Sequence, residues 1–171
     1  MNAPIVIAPF ANERIREWPP HHFRRLIELL LEEPGARIAI VGTAAQRARA
    51  NDILRAFPST LVENTCGRLS WDEVLGLIDA APLVVANNSG IAHLAAGRGR
   101  WTICVFSGSH SFIEWAPRGP RVVVVSLDIP CNPCGLGGDK CPNGFACMTE
   151  LRPEVVLARF KAAQSAALAG A

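Results

Sequence analysis

"VVANNSGIAHLAA" occupies Val84 to Ala96. Val84, Val85 and Ala86 are apolar in succession, as in a strand buried on both faces. Asn87, Asn88, Ser89 and Gly90 end that run, and Ile91 to Ala96 suit a helix carrying one histidine, His93. In an open parallel sheet such corners lie at the carboxyl ends of strands, where ligands bind. The free N–H groups of the helix's first turn and its positive dipole end favour an anion such as phosphate. Gly90 lets a ligand approach the backbone closely. Ser89 adds a hydroxyl, and Asn87 and Asn88 are short enough to reach a ligand or to cap the helix. His93, on the first or second turn, can point the same way. A plainer reading is that Asn88 or Ser89 caps the helix while His93 packs; spacing alone leaves both open.

Working outward, strands and helices alternate. "PIVIAPF" (Pro4 to Phe10) reads as a first strand, followed by Phe23, Leu26, Ile27, Leu30 and Leu31 at helical spacing. Pro34-Gly35 stops that helix. "ARIAIVG" (Ala36 to Gly42) is a second strand, and Thr43 with Gln46 forms a capping box before Ile53, Leu54 and Phe57. "TLVEN" (Thr60 to Asn64) is a third strand. Ser70 with Glu73 forms another capping box, before Val74, Leu77 and Ile78. "PLVVAN" (Pro82 to Asn87), "WTICVF" (Trp101 to Phe106) and "RVVVVSL" (Arg121 to Leu127) complete six strands. A last helix starts around Pro153, a residue suited to a first helical turn. The tail Ala162 to Ala171 is low in complexity and is expected to fray. The pattern predicts a single α/β domain over residues 1–171, with a doubly wound, Rossmann-like parallel sheet.

The bulk numbers fit a globular domain or one half of something larger. Half of the 171 residues are hydrophobic, and the formal net charge is +2. No dense basic run appears, so nucleic acid is not an expected partner. "MNAPIVIAPF" does not read as a signal peptide, and "VVVVSL" is strand length, far below a membrane span. The expected location is cytoplasmic. The first strand runs into "APFANERIREWPPHHF", with neither a G-x-G-x-x-G turn nor a P-loop, so nicotinamide and NTPase chemistries fall away. That loop offers Arg14 and Arg16 instead. Either can reach an anion at the helix start after the fourth strand; the alternative is a solvated arginine.

Four of the six cysteines crowd the segment 131–147 as C-x2-C-x6-C-x5-C: Cys131, Cys134, Cys141 and Cys147. Four thiols around a Gly-rich turn can wrap a tetrahedral zinc or iron. Two disulfides or free thiols remain open, with a reducing compartment favouring metal. Cys66 and Cys104 read as small core residues. His21 and His22 are expected to be exposed, His110 to approach a ligand, and Trp115 to pack.

Three stretches together carry a resemblance: "REWPPHHFRRLIELL", "VANNSGIAHLAAGRG" and "CVFSGSHSFIEWAPRG". They resemble the C-terminal half of glycosyltransferase family 9, the heptosyltransferases of lipopolysaccharide assembly. That family shows K-R-W-P, then D/N-S/T-G-x-x-H-L-A-A, then F-G-P-T…W-x-P. The resemblance implies the GT-B architecture, two Rossmann-like domains facing across a cleft, with the nucleotide-sugar donor on the C-terminal one. It implies that Arg16 takes the place of a lysine facing the donor diphosphate. Ser89 and Gly90 match phosphate-holding backbone positions, and Asn88 a donor-contacting position that is often aspartate. His93 matches a histidine near the diphosphate, and Ser109 a threonine after the fifth strand. Similar cysteine clusters in some members imply a structural clip. The sequence departs from the pattern at Gly108, where proline is usual, at Ile91-Ala92, which replaces proline-methionine, and at "VGTAAQ", which lacks an acidic residue placed near the nucleoside.

The resemblance further implies that this chain is a donor-binding domain without its acceptor domain and without the acidic general base that the acceptor domain carries. It is expected to bind an ADP-heptose-like donor but to transfer nothing alone. The full enzyme would act on a lipopolysaccharide-type acceptor as a peripheral protein at the inner face of the cytoplasmic membrane. Two other readings are a non-catalytic Rossmann-like binding module with a metal clip, and a GT-B-type sugar epimerase, whose usual carboxylates are not evident here.

Overall fold

A computed structural model describes residues 3–169. Six parallel strands form one sheet: β1 (Ile5–Ala8), β2 (Ile38–Ile40), β3 (Val62–Asn64), β4 (Val84–Asn87), β5 (Thr102–Val105) and β6 (Val122–Val125). Their order across the sheet is β3-β2-β1-β4-β5-β6. This is the doubly wound order expected from the sequence, with the switch point between β1 and β4. Val6 pairs with Val84 and Ala8 with Ala86, so the loops after β1 and β4 leave the sheet side by side.

The helices are α1 (Pro20–Leu31), α2 (Arg47–Leu54), α3 (Trp71–Ala80), α4 (Gly90–Gly97), the short α5 (Phe112–Trp115) and α6 (Ala146–Thr149), and α7 (Pro153–Ala169). Alternate strand residues face opposite sides, and the core divides accordingly. Ile7, Ile38, Ile40, Val85 and Ile103 pack with Phe23, Leu26 and Ile27 of α1, Ile53 of α2 and Val156 of α7. Val6, Ala8, Val84, Ala86 and Cys104 pack with Ile78 of α3 and with Ala92 and Ala95 of α4. Each fully buried Ile, Leu or Phe contributes about 1.5–3 kcal/mol of transfer free energy. The apolar runs therefore close a core on both faces of the sheet.

The punctuation behaves as its chemistry dictates. Gly35 adopts φ +75° after α1, a conformation that a side chain resists. Ser70 Oγ accepts the Glu73 N–H at 3.3 Å, and Glu73 Oε2 accepts the Ser70 N–H at 2.7 Å, which fixes the start of α3. Thr43 N–H donates to Gln46 Oε1 at 2.9 Å, but that pair opens a 3-10 turn (Ala44–Gln46), and α2 follows it. The tail expected to fray continues α7 to Ala169; Gly170 and Ala171 lie outside the described residues, as do Met1 and Asn2. Among the described residues no helix is long and apolar enough to cross a membrane.

Candidate functional site

Asn87 and Asn88 are consecutive, yet they do different work. Asn87 is fully buried. Its Oδ1 accepts the Trp18 main-chain N–H at 3.0 Å, and its Nδ2 donates to the Pro9 carbonyl at 2.8 Å. The side chain read as a ligand or cap group is instead a clamp that ties β4 to both ends of the loop after β1. Trp18 is fixed again through Nε1, which donates to the Leu151 carbonyl at 2.9 Å. Between these anchors lies a 3-10 turn, Arg14–Arg16, whose central Ile15 is buried.

That clamp delivers Arg16 to the helix α4 corner. Arg16, Asn88, Ser89 and Gly90 line one cavity of about 350 Å³ at the carboxyl end of the sheet. Arg16 is largely buried and stands 3.7 Å from Glu13 Oε1. Its Nε is buried without a hydrogen-bond partner, and so is Ser89 Oγ. Buried polar groups are normally paired, and here the protein leaves these two without a partner on residues that line the same cavity. Ser89 makes no side-chain cap to α4, which removes the plain capping reading for that residue. A Cβ built on Gly90 meets no protein atom within 4 Å. The first turn of α4 thus opens into free space beside Arg16, a geometry suited to a phosphate.

Arg14 goes elsewhere. Its guanidinium lies 5.6 Å from the centre of the Phe145 ring, beside a neighbouring cavity of about 630 Å³. Glu17 stands where the K-R-W-P pattern has a second base. Its carboxylate accepts from Ala11 N at 3.1 Å and from Arg49 Nη1 at 3.2 Å. Arg49, on α2, also sits 4.8 Å over Phe10, so it restores a cation near the place where the local sequence lost one.

The other expected site residues are not gathered into the 350 Å³ cavity. His93, on α4, is exposed and lies outside its lining. Ser109 is buried, with its hydroxyl 2.8 Å from Ser107 Oγ and 2.9 Å from His110 Nδ1. His110 stays beside this hydroxyl and beside Trp115, 5.8 Å between ring centres. Trp115, expected to pack, is exposed, as part of a four-residue helix none of whose residues is buried. His22, expected to be exposed, is half-buried against Trp18, 5.2 Å between ring centres. Burial first, and then the neighbouring His21, hold its pKa below the ordinary value.

The four clustered cysteines line one small cavity of about 90 Å³, together with Ile15, Gly108 and Leu136. None of the four is disulfide-bonded in the structure. Phe145 N–H donates to Cys141 Sγ at 3.2 Å and Gly108 N–H to Cys147 Sγ at 3.4 Å. Burial pushes the Cys147 thiol up, the Gly108 N–H opposes this, and the three other cysteines add to the rise. Among the described residues no three His, Cys, Asp or Glu side chains form a ready coordination set. Neutral thiols have no mutual attraction to draw them closer. The segment nevertheless touches the loop that carries Arg16: Ile15 N–H donates to the Gly138 carbonyl at 3.2 Å, and Gly138 N–H to Glu13 Oε2 at 3.1 Å. Cys66 and Cys104 are buried in the core as expected, and burial alone pushes the Cys104 thiol up to about 12.

A family profile described as glycosyltransferase family 9 (heptosyltransferase) matches residues 2–143. The chain belongs to glycosyltransferase family 9. Among relatives of this family 9 chain, a lipooligosaccharide heptosyltransferase 2 of Haemophilus influenzae is 32% identical over 115 residues, which span 66% of this chain and 33% of that protein. The fold matches the E. coli ADP-heptose heptosyltransferase II with a TM-score of 0.77 at 23% identity, over 95% of this chain and 46% of the other. It also matches the iron-containing dodecameric glycosyltransferase TibC of enterotoxigenic E. coli, with a TM-score of 0.72 at 17% identity, over 97% of this chain and 46% of the other. The family 9 chain thus spans less than half the length of these relatives.

The sequence showed the α4 corner and Arg16 but missed what holds them. Asn87 is indistinguishable by type from Asn88; only its position inside the strand, facing the core, signalled a structural role. Glu13 and Arg49 belong to no motif, and their partners Gly138 and Glu17 lie far from them in sequence.

Proposed function

We propose that this chain is the nucleotide-sugar donor-binding domain of a glycosyltransferase, taking an ADP-heptose-like donor. The carrying observation is the cavity that Arg16 shares with Asn88, Ser89 and Gly90 at the first turn of α4. The diphosphate lies against the first turn of α4, with Ser89 and Gly90 supplying backbone N–H groups and Ser89 Oγ a further donor. Asn88 contacts the donor beside them. Arg16 pairs with the diphosphate as a planar, permanently charged fork. His93 lies exposed on α4 outside the cavity lining, and Ser109 steadies the loop after β5 through Ser107 and His110. The name of the E. coli structural neighbour, an ADP-heptose heptosyltransferase, supports the choice of donor.

In the complete enzyme an acidic base on the acceptor domain removes the proton of an acceptor hydroxyl on a lipopolysaccharide-type molecule. The oxygen attacks the anomeric carbon, the bond from that carbon to the diphosphate breaks, and ADP leaves with the electron pair. Arg16 and the α4 N-terminus stabilise the charge that develops on the leaving oxygen. In this reading the complete enzyme works in the cytoplasm, peripheral to the inner face of the membrane.

The four cysteines hold a structural zinc or iron in this proposal. What supports this is the kind of donor and not a formed coordination set: four cysteines line one cavity, and two of them accept backbone N–H groups, as metal-bound thiolates do. The iron in the name of one structural neighbour accords with this. Bound there, the ion would staple the loop that touches Glu13 and Ile15.

A transfer assay tests the central reading. With ADP-heptose and a lipopolysaccharide-core acceptor, the 171-residue chain is expected to bind the donor and transfer no sugar. Robust transfer by this chain would show that no second domain is needed.

A further inference from the structure

Among the described residues Arg16 makes one ion pair, and Glu13 is its partner. The Glu13 carboxylate divides its two oxygens. Oε1 stands 3.7 Å from Arg16 Nη2, and Oε2 accepts the Gly138 N–H at 3.1 Å. We infer that Glu13 is a positioning residue, which holds the Arg16 guanidinium ready for the donor diphosphate and uses the cysteine loop as its anchor. The inference rests on the donor-site reading, because Glu13 lies outside the cavity lining and acts on a ligand only through Arg16.

The local backbone explains the need for an anchor. Arg14–Arg16 is a single 3-10 turn, and Glu13 is its N-cap residue. One such turn makes too few hydrogen bonds to hold itself. Asn87 ties down its far end through the Trp18 N–H. Its centre is tied by Ile15, which lines the four-cysteine cavity and donates its N–H to the Gly138 carbonyl at 3.2 Å. These bonds fix the main chain and leave the long Arg16 side chain to be oriented. Side chains three residues apart eclipse one another on a 3-10 turn, so Glu13 is in register with Arg16.

The cysteine loop is fitted to this carboxylate. A Cβ built on Gly137 would stand 3.2 Å from Glu13 Oε2, so any larger residue there presses on it. Gly138, next in the chain, gives its N–H to Glu13 and its carbonyl to Ile15.

The Glu13–Arg16 pair adds little to stability, because both side chains are partly exposed and water screens them. Its use is in ordering. At 3.7 Å the contact is longer than a hydrogen bond, so it restrains the guanidinium without consuming its N–H groups. A side chain restrained beforehand loses less freedom when a diphosphate arrives.

Calorimetric titration of the whole chain with inorganic pyrophosphate, ADP and adenosine tests this. Glu13→Ala is expected to weaken pyrophosphate and ADP by roughly twofold to tenfold, the effect of ordering one long side chain on binding, and to leave adenosine unmoved. Glu13→Gln keeps an acceptor for the Gly138 N–H and is expected to recover part of the loss. In an Arg16→Ala background, Glu13→Ala is expected to weaken ADP no further, which a merely structural role would not produce. Gly137→Ala crowds the carboxylate from the loop side, is expected to weaken pyrophosphate in the same sense, and serves as the reading if Glu13→Ala melts early. Should Glu13→Ala bind pyrophosphate as tightly as the wild type or tighter while Arg16→Ala loses it, the inference falls and the donor site stands. The same holds if Glu13→Ala weakens adenosine equally, or weakens ADP as much without Arg16 as with it. Should the wild-type chain bind neither ADP nor pyrophosphate, the donor site falls and takes the inference with it.

Discussion

Asn87 Oδ1 accepts the Trp18 main-chain N–H at 3.0 Å, across 69 residues of sequence and inside the core. With the Nδ2 bond to the Pro9 carbonyl, it locks the Arg16 turn to the strand that feeds α4. Asn87→Ala strands a buried donor and a buried acceptor together. A loss of about 2–5 kcal/mol is expected, read as a lower urea midpoint with an unchanged slope. A midpoint within error of wild type would mean that the clamp is not needed.

Gly90 separates folding from binding. A Cβ there meets nothing in the protein within 4 Å, and alanine is the better helix former by up to about 1 kcal/mol. Gly90→Ala is therefore expected to match or exceed the wild-type melting temperature. The same methyl points into the space that the proposed diphosphate would take, so ADP affinity should drop by about tenfold or more. Unchanged affinity would move the phosphate away from the α4 N-terminus.

The division between what could be read and what could not follows from the range of each signal. Strand and helix identity is local: apolar runs such as Val122–Val125 and the spacing of Phe23, Leu26 and Ile27 declare themselves, and all six strands lie where expected. The α4 corner was legible because a strand, short polar residues and a glycine adjoin in sequence. The partners of those residues are distant. Asn87 meets Pro9 across 78 residues, and Glu13 meets Gly138 across 125, and no periodicity reports such pairs. Exposure of Trp115 was misread because an aromatic in a short helix lacks the repeat that assigns a buried face.

Cys104 gives a test of the core. It is fully buried, and its thiol is pushed up to about 12 from 9.0. The neutral thiol is the folded form, so its contribution to stability is complete below about pH 9. That contribution is lost as pH rises from there toward 12, where the unfolded chain ionises first. Iodoacetamide at pH 8 should modify Cys104 only in denaturant. Rapid native labelling would show that this side of the sheet opens.

The cysteine clip predicts a metal content. Protein purified reduced and without chelators should carry about one zinc or iron per chain, and a Cys131→Ser, Cys134→Ser double variant should carry almost none. Elemental analysis decides. Neither metal in the wild-type protein would leave the four residues as plain thiols.

The central claim is that Arg16 and the α4 corner hold a nucleotide diphosphate. Its most direct measurement is calorimetric titration of the wild-type chain and Arg16→Ala with ADP, UDP, GDP and ADP-heptose, with adenosine as the uncharged control. The wild-type chain is expected to bind ADP and ADP-heptose selectively. Arg16→Ala is expected to lose about tenfold to a hundredfold on the diphosphates while adenosine is unmoved, as removal of a charge-assisted pair of about 1.5–3 kcal/mol requires. Equal losses for ADP and adenosine would mean that Arg16 does not face the diphosphate, and the account would be wrong at its centre.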